Sequence, residues 1–265
     1  MLKPSRWILI ALPFLILGCG SGGIGSVLGG GASSISLDQE WQLGQQIAGQ
    51  VAQQTRFVND PQALAYLRQI GERIHAQTPL RDRPFNFYIV DDPQVNAFSI
   101  PGGHVYVNRG LVQQCDKEDM LAGVIAHETT HIVLRHALKQ MEQQNEINAI
   151  GSILLGNAGQ LEQIAGQVIA GGAMARFSRA DEKQADDGGL QYMVAAGYDP
   201  HGMLDMFQKL LALEQGHPGA AAKFFQDHPG TQDRINDING RISQMGNPSG
   251  TVDSQAYHSN LKDRM

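Results

Sequence analysis

Apolar residues recur along this chain at two different periods, and the changes of period mark its elements. Trp41, Leu43, Ile47, Ala48 and Val51 follow a helical spacing after Asp38, a helix-capping residue type. Asp60 with Pro61 is a second start signal, and Leu64, Leu67, Ile70 and Ile74 continue it at helical spacing as far as Pro79 and Pro84. Residues 85–90 then have strand composition. Residues 96–100 and 104–107 flank Pro101, Gly102 and Gly103, which read as a hairpin turn between two strands. After a short turn through residues 108–114, Met120, Leu121, Val124 and Ile125 return to helical spacing. Asp116 can cap this helix, which is expected to continue to about residue 146.

Residues 149–173 are apolar but broken by glycines and by Asn157, Gln160, Glu162, Gln163 and Gln167. Their longest unbroken apolar run falls far below the roughly 18 residues of a membrane span. They read as a pair of loosely packed helices or a mobile cover. Ser178 starts another helix, and Asp199 with Pro200 opens one whose amphipathic body covers residues 202–213. His228 and Pro229 break the chain. Thr231 then caps what reads as the last helix, carrying Arg234, Ile235, Ile238, Ile242 and Met245, and a polar tail of little order is expected from residue 247. Helices outnumber strands, and the small sheet is expected to be antiparallel or mixed. The class is α+β.

Composition narrows the setting. A chain of 265 residues with 42% hydrophobic content can bury one good core. A formal charge of −6 without basic clustering argues against a nucleic-acid partner. Lys3 and Arg6 precede a short apolar run over residues 7–17, and Gly18 with Cys19 follows. That run is too short for a span, which takes about 20 residues, and it matches a bacterial lipoprotein signal with lipidation at Cys19. The expected organisation is a signal peptide over 1–18 and a Gly/Ser-rich tether over 19–36. The domain then covers 37–246, with the tail over 247–265. Processing at Cys19 leaves Cys115 without an intramolecular partner, so it reads as a small buried residue.

The chemistry gathers on H-E-x-x-H at His127, Glu128 and His131. On a helix, residues four apart share a face, so both imidazoles can reach one tetrahedral Zn²⁺. Glu128 is then placed as general base toward a water. Val124, Ile125 and Ala126 before the motif and Ile132, Val133 and Leu134 after it mark a buried helix, where an unpaired Glu128 would be costly. A third ligand has to come from elsewhere. Glu182 and Asp186, four apart on the helix after Ser178, offer one ligand and one group to orient a histidine. From spacing alone Asp181 and Asp187 compete for those roles, and a solvated charged face fits equally well.

Several motifs occur together and in order. They are Asn96-Ala97-Phe98, Pro101-Gly102-Gly103, Gly110-Leu111, the motif at 127–131 with Arg135 and His136, the Glu182 to Asp186 pair, and His228-Pro229 followed by Arg234. In this combination, over about residues 38–245, the chain resembles the zinc metallopeptidase family of HtpX, the CaaX prenyl-protein endopeptidases and the BepA-like periplasmic proteases, its small lipoprotein members above all. The resemblance implies a mostly helical, gluzincin-type zincin domain with a small sheet bordering the cleft. It makes His127, His131 and Glu182 the ligands of one Zn²⁺ per chain, Glu128 the base and Asp186 the group that orients a ligand. His228 and Arg234 become catalytic groups that bind the metal's open position or stabilise the oxyanion. His136 lies nine residues after His127, with Leu134 where the metzincin pattern has glycine, and reads as structural.

The activity so implied is a zinc endopeptidase of the bacterial envelope, acting on unfolded or misassembled envelope proteins. The alternative is a holdase or outer-membrane assembly factor that cuts little. Asn96, Ala97, Phe98 and Ser99 are expected to form an edge strand to which an extended substrate adds. Gly20, rather than aspartate, after Cys19 favours an outer-membrane anchor facing the periplasm.

Overall fold

Ser36 opens the first described helix, α1 (Leu37–Gln54), through a reciprocal capping box with Gln39. Asp38, expected as the cap, sits inside the first turn and pairs with Arg83 at 2.6 Å. The computed structural model describes residues 35–143, 147–171, 177–229 and 231–265. The expected signal peptide, Cys19 and nearly all of the tether lie outside them. In α2 (Pro61–His75), Asp60 caps by accepting from the Gln62 and Ala63 amides, with Pro61 at the start as predicted.

Three strands follow, β1 (Asn86–Val90), β2 (Ala97–Ile100) and β3 (His104–Asn108), in the order β1-β3-β2. β1 runs parallel to β3 and β2 antiparallel to it, so the sheet is mixed and β2 lies at its edge. Side chains alternate across the sheet. Phe87, Ile89, Ala97, Val105 and Val107 join the main core, while Phe98, Ile100 and Tyr106 join a second core. The expected turn over 108–114 is instead a short helix, α3 (Arg109–Gln114).

The motif helix α4 (Glu118–Val133) is buried along its whole length. Its cap position is Lys117, with no side-chain bond, because Asp116 is held instead by Lys209 and Lys262 at 2.5 and 2.9 Å. The helix also stops earlier than periodicity predicts. Arg135 takes a left-handed conformation (φ 58°), and α5 (His136–Gln143) restarts in a new direction. That conformation is unfavourable for a residue with a Cβ. Here Arg135 Nε donates to buried Glu40 at 2.6 Å and its guanidinium donates to the Ile35 carbonyl at 2.6 Å, which offsets the strain.

The glycine-rich stretch forms a pair of helices, α6 (Ile147–Leu154) and α7 (Ala158–Gly171). Ile150, Ile153, Ile164, Ala165 and Val168 pack them into the second core with Leu43, Ile47 and Val51 of α1. Ser178 caps α8 (Arg179–Ala195) in a capping box with Asp181, as its position predicts. Then come α9 (His201–Gly216), α10 (Ala222–Asp227) and α11 (Thr231–Gln244). The last of these is not terminal. Residues 247–265, expected to be little ordered, include α12 (Ser254–Asn260) and a 3₁₀ turn (Lys262–Arg264). Tyr257 and Leu261 are fully buried, and the Tyr257 hydroxyl donates to the Val112 carbonyl at 2.7 Å. These two anchors dock the segment together with polar contacts such as Lys262 to Asp116 and Arg264 to Asp60. No helix among the described residues is long and apolar enough to cross a membrane.

Glycine sets how closely α8 and α9 approach α4. A Cβ on Gly188 would lie 2.5 Å from the Thr130 methyl, and one on Gly189 would lie 3.2 Å from the His127 amide nitrogen. A Cβ on Gly202 would meet the Asp119 backbone at 2.4 Å. Gly202→Ala must therefore push α9 away from α4. The expected cost is about 1–3 kcal/mol, read as a lower urea midpoint at an unchanged slope; an unshifted midpoint would show that the contact is not needed.

Candidate metal centre

His127 and His131 lie one turn apart on α4, with their Nε2 atoms 3.0 Å from each other. The close approach of α8 sets Glu182 beside them, its two oxygens each 3.5 Å from one histidine Nε2. The loop after α10 supplies His228, whose Nδ1 lies 3.3 Å from His127 Nε2 and 3.2 Å from Glu182 Oε1. All four residues are buried, and they offer four ligand atoms within 4.8 Å of one another.

These spacings fit a metal. Around a tetrahedral ion with bonds of about 2.0–2.1 Å, ligand atoms stand about 3.3 Å apart, and mixed imidazole and carboxylate donors suit zinc. Charge fits as well. Glu128, Glu182 and Asp186 are buried carboxylates, and Arg234 is the guanidinium buried among them. With neutral histidines this leaves a formal excess of two negative charges, which a divalent cation matches. Without it the imbalance falls on the histidines. Burial opposes the charging of His228, yet Glu182 and Glu128 raise it to about 9. Burial likewise opposes ionisation of Glu182, but His228, His131 and His127 hold it well below the usual carboxylate range. Burial lowers His131 despite Glu182, which favours the neutral imidazole a metal requires.

The sequence pattern of peptidase family M48 matches residues 61–242, which contain every one of these groups. The chain belongs to peptidase family M48. It is 32% identical over 235 residues to the beta-barrel assembly-enhancing protease of Yersinia pestis, covering 85% of this chain and 48% of that protein. It is 32% identical over 173 residues to the mitochondrial metalloendopeptidase OMA1 of Schizosaccharomyces pombe, covering 65% of this chain and 51% of that protein. The metalloprotease LoiP of Escherichia coli (strain K12) is 29% identical over 182 residues, covering 67% and 68%. The chain thus spans about half the length of the beta-barrel assembly-enhancing proteases it matches.

In this M48 peptidase the surroundings of the centre are as specific as the ligand set. His127 Nδ1 meets Asp186 Oδ1 at 2.9 Å. Asp186 also accepts from Arg234 Nε and Nη2 at 2.8 and 2.7 Å. Arg234 was expected at the metal's open position or at the oxyanion. Instead its Nη1 reaches Glu182 Oε2 at 2.5 Å, and its guanidinium lies 4.3 Å over the Phe207 ring. Most of its donors face Asp186 and Glu182, and this geometry fits a counter-charge to those carboxylates.

Glu128 is held from the sheet. Ser99 Oγ donates to Glu128 Oε2 at 2.9 Å, while Oε1 faces His228 Nε2 at 3.3 Å without hydrogen-bond geometry. Of the four expected substrate-strand residues, Ala97, Phe98 and Ser99 lie in edge strand β2, and all are buried. Asn96 precedes the strand and donates from its side chain to Asp227, next to His228, at 3.0 Å.

Sequence reasoning missed Phe177 and Gln184 and read His136 as structural. Phe177 stacks on His131 with centroids 3.8 Å apart, and His136 Nδ1 lies 2.9 Å from His131 Nδ1. Gln184 Oε1 is 3.3 Å from His136 Nε2. The one available signal was the Arg135–His136 pair after the motif, whose spacing matches no helix face. Arg234→Met leaves the buried carboxylates without their counter-charge, so the metal-free protein should lose about 3–5 kcal/mol. Urea denaturation with chelator present measures this, and a loss below about 1 kcal/mol would refute the assigned role.

Proposed function

We propose that this chain is a zinc-dependent endopeptidase of the bacterial cell envelope, cleaving unfolded or misassembled envelope proteins. The carrying observation is the buried donor set of His127, His131, Glu182 and His228 beside Glu128. When bound, zinc supplies Lewis-acid chemistry that polarises a carbonyl and lowers the pKa of water toward about 7. His127, His131 and Glu182 hold it. Glu128 takes the proton of the attacking water and returns it to the leaving amine. The Ser99 hydroxyl fixes one Glu128 oxygen and leaves Oε1 for that transfer. His228 turns Nδ1 toward His127 Nε2 and Glu182 Oε1, at 3.3 and 3.2 Å, where it would serve as a fourth donor until a substrate displaces it. It is then free to donate to the oxyanion.

The cell envelope, the anchor at Cys19 and the choice of unfolded substrates rest on the leader pattern and on the likeness to the beta-barrel assembly-enhancing proteases. A protease of this design should lose turnover, not metal, when the base is neutralised. Glu128→Gln should retain one zinc per chain and cleave casein at least about 10²-fold more slowly. Cleavage at the wild-type rate would end the catalytic assignment, and full rescue of a deletion strain by the variant would favour the holdase reading.

Substrate is held by strand addition to β2. The Asn108 amide donates to the Asn96 carbonyl, so in an antiparallel ladder Phe98 and Ile100 bond to β3 while the Ala97 and Ser99 main-chain groups face the free edge. Because β2 is buried here, a peptide gains that edge only as the neighbouring segments yield. Ser99→Pro would also release Glu128, so Ala97→Pro is the cleaner probe. It should raise KM for an unfolded substrate severalfold at unchanged zinc content; unchanged kinetics would rule out the edge-strand mode.

A further inference from the structure

We propose that His136 is the positioning residue for the metal ligand His131, accepting a hydrogen bond from His131 Nδ1–H, and that Gln184 selects the His136 tautomer able to do so. The inference rests on the zinc reading and concerns how this chain prepares one ligand. His131 turns Nε2 toward His127 and Glu182, at 3.0 and 3.5 Å. A neutral imidazole that ligates through Nε2 carries its proton on Nδ1. That Nδ1 lies 2.9 Å from His136 Nδ1. Two nitrogens at this distance cannot both donate, so His136 Nδ1 presents its lone pair and its own proton resides on Nε2. His136 Nε2 points at Gln184 Oε1, 3.3 Å away, with Asp181 Oδ1 at 3.7 Å. Every polarity in this chain of groups is thereby determined.

The helix break makes the contact possible. On a continuous helix, residue 136 would lie about 140° around the axis from residue 131. The left-handed Arg135, held by Glu40 and the Ile35 carbonyl, folds the chain back so that the His136 ring reaches His131. Phe177, stacked on His131 at 3.8 Å and 21°, restrains the plane of that ring, and the bond to His136 sets its direction within the plane. The two ligand histidines are therefore oriented by different means. A carboxylate paired with Arg234 serves His127, and a neutral imidazole–amide pair serves His131.

The full chain tests this with two variants and one spectroscopic measurement. Zinc affinity is read by chelator competition. His136→Leu removes the acceptor and should weaken zinc by about 10–100-fold. His136→Asn places an amide oxygen where Nδ1 stood and should stay within about threefold of wild type. Long-range ¹H–¹⁵N NMR of the zinc-loaded wild type should show His131 protonated at Nδ1 and His136 at Nε2. Equal losses in both variants, undiminished affinity in His136→Leu, or a His136 proton at Nδ1 would each overturn the proposal. The NMR result does so even if His136→Leu fails to fold. Wild-type protein that binds no stoichiometric zinc would instead overturn the zinc reading itself, so the two failures are distinguishable.

Discussion

Buried negative charge without enough positive charge to match it is the constraint around which this protein is built. Glu128, Glu182 and Asp186 share the interior between α4 and α8 with one guanidinium, that of Arg234. Such an imbalance costs several kcal/mol unless a cation or protonation removes it. Gly188 and Gly189 let α8 sit directly on the backbone and side chains of α4, which brings these groups close together. A divalent ion among His127, His131, Glu182 and His228 would relieve the imbalance, and Glu182 and Glu128 raise the His228 imidazole against its burial. Metal binding and fold stability are in this sense one energetic question.

The sheet is tied to the same centre. One face of the sheet packs on the core that includes α4, and the other packs on α1, α6 and α7. Edge strand β2 thus stands between two cores with its side chains fixed from both sides. Ser99 extends from it to the general base, and just before the strand Asn96 bonds Asp227 beside His228. A peptide laid along β2 would sit on the element that also holds Glu128 and steadies the His228 loop. On the strand-addition proposal, recognition through the main chain and preparation of the base would be properties of one strand.

Strain is placed where it orients the centre. Arg135, immediately after the motif helix, adopts a conformation unfavourable to a side chain, and its ion pair with Glu40 is nearly all buried. A break there costs energy that a continuous helix would not. What it accomplishes is the return of His136 to His131, a contact that no straight helix of this sequence can make.

Much of this protein was legible from local pattern. The H-E-x-x-H spacing, the Asp60–Pro61 and Ser178 start signals, and the three strand segments each depend on residues within about five positions of one another. Helical and strand periods translate such spacings directly into faces. The joint order of the distant motifs added Glu182, Asp186 and His228. What the chain could not disclose by itself depended on contacts between residues far apart. The left-handed Arg135 requires Glu40, ninety-five residues earlier, and the cap expected of Asp116 was lost to Lys209 and Lys262. Tyr257 and Leu261 anchor a tail whose polarity conceals them, because a docking site exists only after α2, α3 and α4 have packed. Arg234 was visible as a charge, but whether it faces substrate or the buried carboxylates was decided by the approach of α11 to α8, since a guanidinium bonds to whichever carboxylates packing brings within reach.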